Sequence, residues 1–149
     1  MSREIKYRAW VKERQAYFPV SNLFWGGGDT PLKVEISDNG SYREYINGEV
    51  IIEQYTGRKD KNGKEICEGD VCRLTYYTKS KKERKWHKHS EDINVVEFED
   101  GYFKFSNTDK YGIGSELSFS DCYEFSTADG SYKYEAEILG NIHKEIKKC

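Results

Sequence analysis

Residues 79–89 read KSKKERKWHKH and hold the densest chemistry in the chain. Lys79, Lys81, Lys82, Arg84, Lys85 and Lys88 surround Trp86, with Glu83 the one acid among them. Cations release counterions from a phosphate backbone, and an indole stacks on an unpaired base. Nucleic-acid contact is therefore the sharpest chemistry this run offers. The simpler reading is a hydrated hairpin tip whose charges keep strand edges from pairing. Glu91 and Asp92 follow closely and lower the local positive charge. His87 and His89 stand two apart, so on a strand they share a face and can supply two metal ligands. Cys67 and Cys72 match as further ligands in type only. Their Cys-x4-Cys spacing crosses a turn and a strand start, and no second cluster follows. No metal and no cofactor are expected.

Enzyme signatures are weak. The chain has no Gly-x-Ser-x-Gly elbow and no His-Glu-x-x-His. Glu68 and Asp70 flank Gly69 like a paired acid and base, yet turn chemistry explains them better, since aspartate accepts local backbone hydrogen bonds. The run Gly26-Gly27-Gly28-Asp29 lacks the Gly-Lys-Ser/Thr ending and the helix that a phosphate loop needs. It is expected to be plain turn. Trp10, Trp25 and Trp86 are too many large rings to be buried together in so small a fold. Trp25 and Trp86 fall in expected loops, where tryptophans can anchor a partner.

Bulk properties set the limits. The chain has 149 residues, enough for one compact domain or two small lobes. It is 36% hydrophobic, 34% charged and 15% aromatic, with twelve tyrosines, which suit half-buried strands. Its net charge of −2 argues against a generally basic nucleic-acid binder while leaving a local patch open. No segment has the run of about 20 apolar residues that a membrane span needs. The start of the chain carries no signal-peptide pattern, so a cytoplasmic setting is the expectation. Reduced thiols are expected at Cys67, Cys72, Cys122 and Cys149.

The elements that must position these residues read as β. Ile5, Tyr7, Ala9 and Val11 alternate with polar neighbours, and residues 17–20 return after the polar reversal at 12–15. Short strands are expected at 33–36 and 42–46 around Asp38-Asn39-Gly40, then at 50–55 after Asn47-Gly48. Asn62-Gly63 signals a hairpin of type I′, which needs positive φ at both residues. Glu68-Gly69-Asp70 opens a strand at 71–77. Residues 93–99 and 102–105 flank Asp100-Gly101, with Phe103 and Phe105 inward and Tyr102 and Lys104 outward. Residues 107–115 read as a polar loop, and 119–125 as a short aromatic stretch. A last strand covers 132–139, broken by Gly140-Asn141, where Asn141 can cap one helical turn through Ile142 and Ile146.

Five stretches together carry a resemblance: IKYRAW at 5–10, YTGRKDKNGKEI at 55–66, EGDV at 68–71, VVEF at 95–98 and EILGNI at 137–142. In this order and spacing the chain resembles the YopX family of phage and prophage proteins over nearly its whole length. The resemblance implies a mainly β fold: a hairpin-rich N-terminal part and an SH3-like β-barrel in the C-terminal part, with little helix. The expected division is 1–54 and 55–149. The family brings no assigned activity, so no catalytic residue is carried over. The insertion at 23–32 and the basic run at 79–89 depart from the family pattern.

The expectation is a non-enzymatic accessory protein of phage or prophage origin that binds a macromolecule. A protein partner is favoured, and a small β protein with open edges is also prone to self-association. The alternative is nucleic-acid binding through 79–89. The candidate contact residues are Trp25, Lys81, Lys82, Arg84, Lys85, Trp86 and Lys88.

Overall fold

The computed structural model describes residues 5–29, 31–46, 48–80, 82–99, 101–106, 116–118 and 132–144. Among them run eleven strands and no helix: β1 (Tyr7–Val11), β2 (Ala16–Trp25), β3 (Pro31–Asp38), β4 (Ser41–Ile46), β5 (Val50–Lys59), β6 (Glu65–Cys67), β7 (Asp70–Lys79), β8 (Trp86–Glu99), β9 (Tyr102–Ser106), β10 (Glu116–Ser118) and β11 (Tyr132–Asn141). They form two antiparallel sheets, ordered β4-β3-β2-β1-β5-β6 and β10-β9-β8-β7-β11. The mainly β class stands. Neither sheet is closed among the described residues, so the expected SH3-like barrel is not seen as a closed sheet.

Packing divides the chain into Met1–Gly57 and Arg58–Cys149, with the boundary inside β5. In the first unit β1 is the central strand, pairing with β2 on one side and β5 on the other. Ala9, Val11, Val34, Ile36, Tyr45 and Val50 make its core, with Phe18, Val20, Leu23 and Ile52 packed against them. Trp10 is buried as well, edge-on to Tyr17 at 5.0 Å between ring centroids. Asn39 and Gly40 have φ of 50° and 87°, so the β3–β4 loop is a two-residue turn with both central residues left-handed.

In the second unit, Ile66, Cys72, Leu74, Val96, Phe103, Phe105 and Ala136 form the core. Phe103 and Phe105 point inward as expected, and Tyr102 is exposed. Lys104 departs from expectation. Its side chain is buried rather than solvated, and its Nζ lies 2.8 Å from a Glu99 carboxylate oxygen on the neighbouring strand.

Three expected features change. Asn62 is not left-handed, so Asp60 to Gly63 is not a type I′ turn. Gly63 N–H bonds Asp60 C=O at 3.0 Å, Asp60 N–H bonds Lys64 C=O at 2.7 Å, and only Gly63 has positive φ, 82°. That is a type I turn closed by a glycine bulge. The strand at 132–139 continues through Gly140 to Asn141 with a bulge after Ile138. Asn141 Oδ1 does accept the His143 N–H at 2.9 Å, the bond expected of a cap, and the rest of the expected helical turn falls outside the described residues. Trp25 and Trp86 both lie in strands, not loops. Lys81, Asn47, Asp100, Cys122, Cys149, Ile146, the loop at 107–115 and the stretch at 119–125 lie outside the described residues.

Candidate functional site

The β7–β8 hairpin carries most of the candidate residues. Its ladder reaches Thr78↔His87 and Lys79↔Trp86, so the tip is residues 80–85 only. Ser80 shapes that tip: its hydroxyl accepts the N–H of Lys82 at 3.3 Å, and its C=O accepts the N–H of Arg84 at 3.0 Å. Arg84 has φ of 52°, the left-handed residue of the reversal. Among the described residues Lys82, Arg84 and Lys85 are exposed and make no ion pair. They are the cations a polyanion would meet first.

The rest of the run is already engaged. His87 Nε2 lies 2.9 Å from the Glu83 carboxylate. Lys88 pairs with Glu91, and Arg73 reaches the same carboxylate at 3.0 Å. The hydrogen bond from Lys88 holds the Glu91 carboxyl below its usual range. Arg73 and Lys61 both pair with Glu137, at 3.3 and 3.2 Å, and that contact raises the Lys61 ammonium. Trp86 is part-exposed, but its ring already holds cations: Lys133 Nζ lies 4.7 Å and Lys79 Nζ 5.4 Å from its centroid. A base stacking there would compete with these lysines for the ring. The two histidines do not converge. The register shifts by one residue between Tyr76 and Tyr77, leaving His89 as the bulge. His89 packs on Tyr76 at 5.3 Å while His87 faces Glu83. No group of three His, Cys, Asp or Glu that could hold a metal occurs among the described residues.

Trp25 belongs to the first unit. It ends β2 opposite Pro31, and it is 58% exposed. Phe24 beside it is aligned with Lys33 on β3 and, through that residue, with Ile46 on β4. Phe24 and Ile46 are exposed, as is Leu32. Leu32 fills the space over Gly26, where a Cβ would collide with its Cδ1. Of the three glycines only Gly26 is approached in this way; at Gly27 and Gly28 a Cβ meets nothing within 4 Å. By the β2–β3–β4 register Phe24 and Ile46 share one face with Lys33 between them, while Leu32, next to Lys33 in the strand, turns to the other, so one end of the first sheet is rimmed by exposed apolar side chains on both faces.

The central motif is structural, and its main residue went unread in the sequence. Asp60 is buried, and its carboxylate accepts three backbone N–H groups: Asn62 and Lys64 at 2.9 Å, Ile138 at 3.1 Å. Lys61 N–H also bonds Ala136 C=O at 2.9 Å. The turn thus covers the outer edge of β11 and replaces a neighbouring strand there. Burial pushes the Asp60 carboxyl up, but the amides of Ile138, Lys64 and Asn62 outweigh it and hold the group below its ordinary value. Asp in the first position and Gly in the fourth was a readable signature of this turn. Asp70, buried too, accepts the Cys67 N–H at 2.8 Å, which is the turn role expected of it. Cys67 and Cys72 are buried thiols.

The family model described as YopX protein matches residues 6–147. No curated protein matches the chain. Among solved structures, the crystal structure of protein EF1440 from Enterococcus faecalis is similar at 24% identity and a TM-score of 0.54, with 95% of each chain covered. That likeness bears on the fold alone.

Proposed function

The chain belongs to the YopX family, and from that premise we propose that it is a non-enzymatic accessory protein of phage or prophage origin that binds a partner protein in the bacterial cytoplasm. The observation that carries the reading is the apolar rim of Phe24, Trp25, Leu32 and Ile46, each more than 40% exposed. Exposed apolar patches of this kind mark contact surfaces, and tryptophan is the side chain most often found at their centre. An SH3-like form of the second sheet goes with this proposal. Its support is the return of β11 to pair with β7, which sets the last strand beside the first long strand of the unit. The test is capture of host proteins on the immobilised chain, compared with Trp25→Ala of unchanged circular dichroism. The expected result is a specific partner depleted about tenfold or more by the substitution. Identical captured sets overturn the reading.

A second reading is supported by Lys82, Arg84 and Lys85: weak nucleic-acid binding at the β7–β8 tip. A mobility shift on single-stranded DNA at low salt tests it, and no shift there removes it.

A further inference from the structure

β4 stands at the end of the first sheet, and among the described residues it pairs with β3 alone. All its side chains except Tyr45 are exposed. Such an edge is a template for another strand, and proteins usually blunt it. The charges of Arg43 and Glu44 blunt it against apolar pairing, but its backbone groups are taken at one position only among the described residues: the Ile46 N–H by the Glu49 carboxylate at 2.9 Å and the Ile46 C=O by the Glu49 N–H at 3.1 Å. The register from Lys33↔Ile46 to Asp38↔Ser41 is unbroken. By the alternation of an antiparallel ladder, the N–H and C=O groups of Glu44 and Tyr42 also face the open side.

The side chains state what would pair there. Tyr42, Glu44 and Ile46 alternate onto one face. Tyr42 and Ile46 are 66% and 59% exposed. Glu44 lies directly opposite Glu35, and like charges so placed destabilise a sheet. Ser21 and Asn22 bond Glu35 at 2.8 and 3.0 Å, but both are neutral. Neither carboxylate has a cation partner among the described residues. Lys33 stands on the same face, aligned with Ile46 and two residues from Glu35, yet it pairs with neither carboxylate among the described residues, so the edge presents a negative pair between two apolar side chains.

We propose that β4 docks an extended segment of a partner protein, in which a basic side chain lies between apolar residues two positions away on each side. The segment adds a strand to the sheet, its basic side chain meeting Glu44 and its apolar ones meeting Tyr42 and Ile46. A second copy of this chain fits worse. Two copies joined edge to edge share a two-fold axis normal to the sheet, which keeps faces matched only when residue numbers opposite each other sum to an even number. The registers with longest overlap then set Arg43 on Arg43 or Glu44 on Glu44. The proposal rests on the protein-binding reading and narrows it to one edge.

The test uses the full chain and two labelled peptides, Thr-Val-Thr-Lys-Thr-Val-Thr and its twin with Glu at the centre, followed by fluorescence anisotropy. The lysine peptide is expected to bind with Kd of about 0.1–1 mM and its twin at least about fivefold more weakly. Glu44→Lys should invert that order. Glu44→Pro removes the open-side N–H, is tolerated on an edge strand, and should abolish both interactions. Equal binding of the two peptides, no binding of either at about 1 mM, or indifference to both substitutions overturns the assignment. A dimer lost in Glu44→Pro also overturns it, since a second copy would then be the occupant. A captured partner that depends on Trp25 but not on Glu44 leaves the protein-binding reading standing while the edge assignment falls.

Discussion

One buried carboxylate explains why the central motif has the composition it has. Asp60 gathers the amides of Asn62, Lys64 and Ile138, so a single side chain closes its own turn and fixes the last strand 78 residues away. Truncating it leaves three N–H groups without their acceptor. Asp60→Ala is expected to lower stability by about 2–4 kcal/mol in urea unfolding, and Asp60→Asn by about half that, because one oxygen acceptor remains. The sign of the pH effect follows. The folded carboxyl titrates below its ordinary value of 3.8. Its contribution is therefore complete above that value and is lost as pH falls through the lower, folded one. Unfolding midpoints of wild type and Asp60→Asn measured from neutral pH down to strong acid should converge at the acid end. A gap that stays constant across that range contradicts the charged, amide-bonded carboxylate.

Turns and long hairpins show where the sequence was readable and where it was not. The loops at Asn39-Gly40 and at Gly101 sit where dipeptide signals place them, because positive φ selects glycine and asparagine strongly. Phe103 and Phe105 were legible as inward residues, since a half-buried strand keeps a period of two. Trp25 and Trp86 were not legible as strand residues. Their strands run out past the core, where β2 carries Ser21 and Asn22 and β8 opens with exposed residues through Asp92. Solvated on both faces, such stretches carry no alternation to read. Lys104 was misread for the converse reason, as its polar position is covered by the fold. The distinction between turn geometry and mere openness can be measured at two glycines. A Cβ at Gly63 or at Gly28 meets nothing within 4 Å, but only Gly63 has positive φ. Gly63→Ala should therefore cost about 1–2 kcal/mol, while Gly28→Ala should leave the urea midpoint almost unchanged.

At the scale of the whole molecule, charge decides between the two binding readings. A net charge of −2 gives no long-range attraction for a polyanion, so any affinity for nucleic acid must come from the tip at close range. Among the described residues three cations there lack an acidic partner, Lys82, Arg84 and Lys85, while Lys88, His87 and Arg73 are tied to Glu83 and Glu91. Each phosphate neutralised on a single strand contributes a slope of about −0.7 to the plot of log affinity against log salt, so three give about −2. Fourfold more salt, from about 50 to 200 mM, then weakens binding about 20-fold. The expected behaviour is a shift seen only at low salt. It should be lost when Lys82, Arg84 and Lys85 are all replaced by serine, and it should be insensitive to Trp25→Ala. Trp86→Ala separates stacking from charge. The indole is already occupied by Lys79 and Lys133, so its removal should change affinity little. A large loss in Trp86→Ala, with binding that persists at the higher salt, would mean that the indole leaves its lysines to stack on a base. That result would make the β7–β8 hairpin, rather than the apolar rim of the first unit, the working surface of the protein.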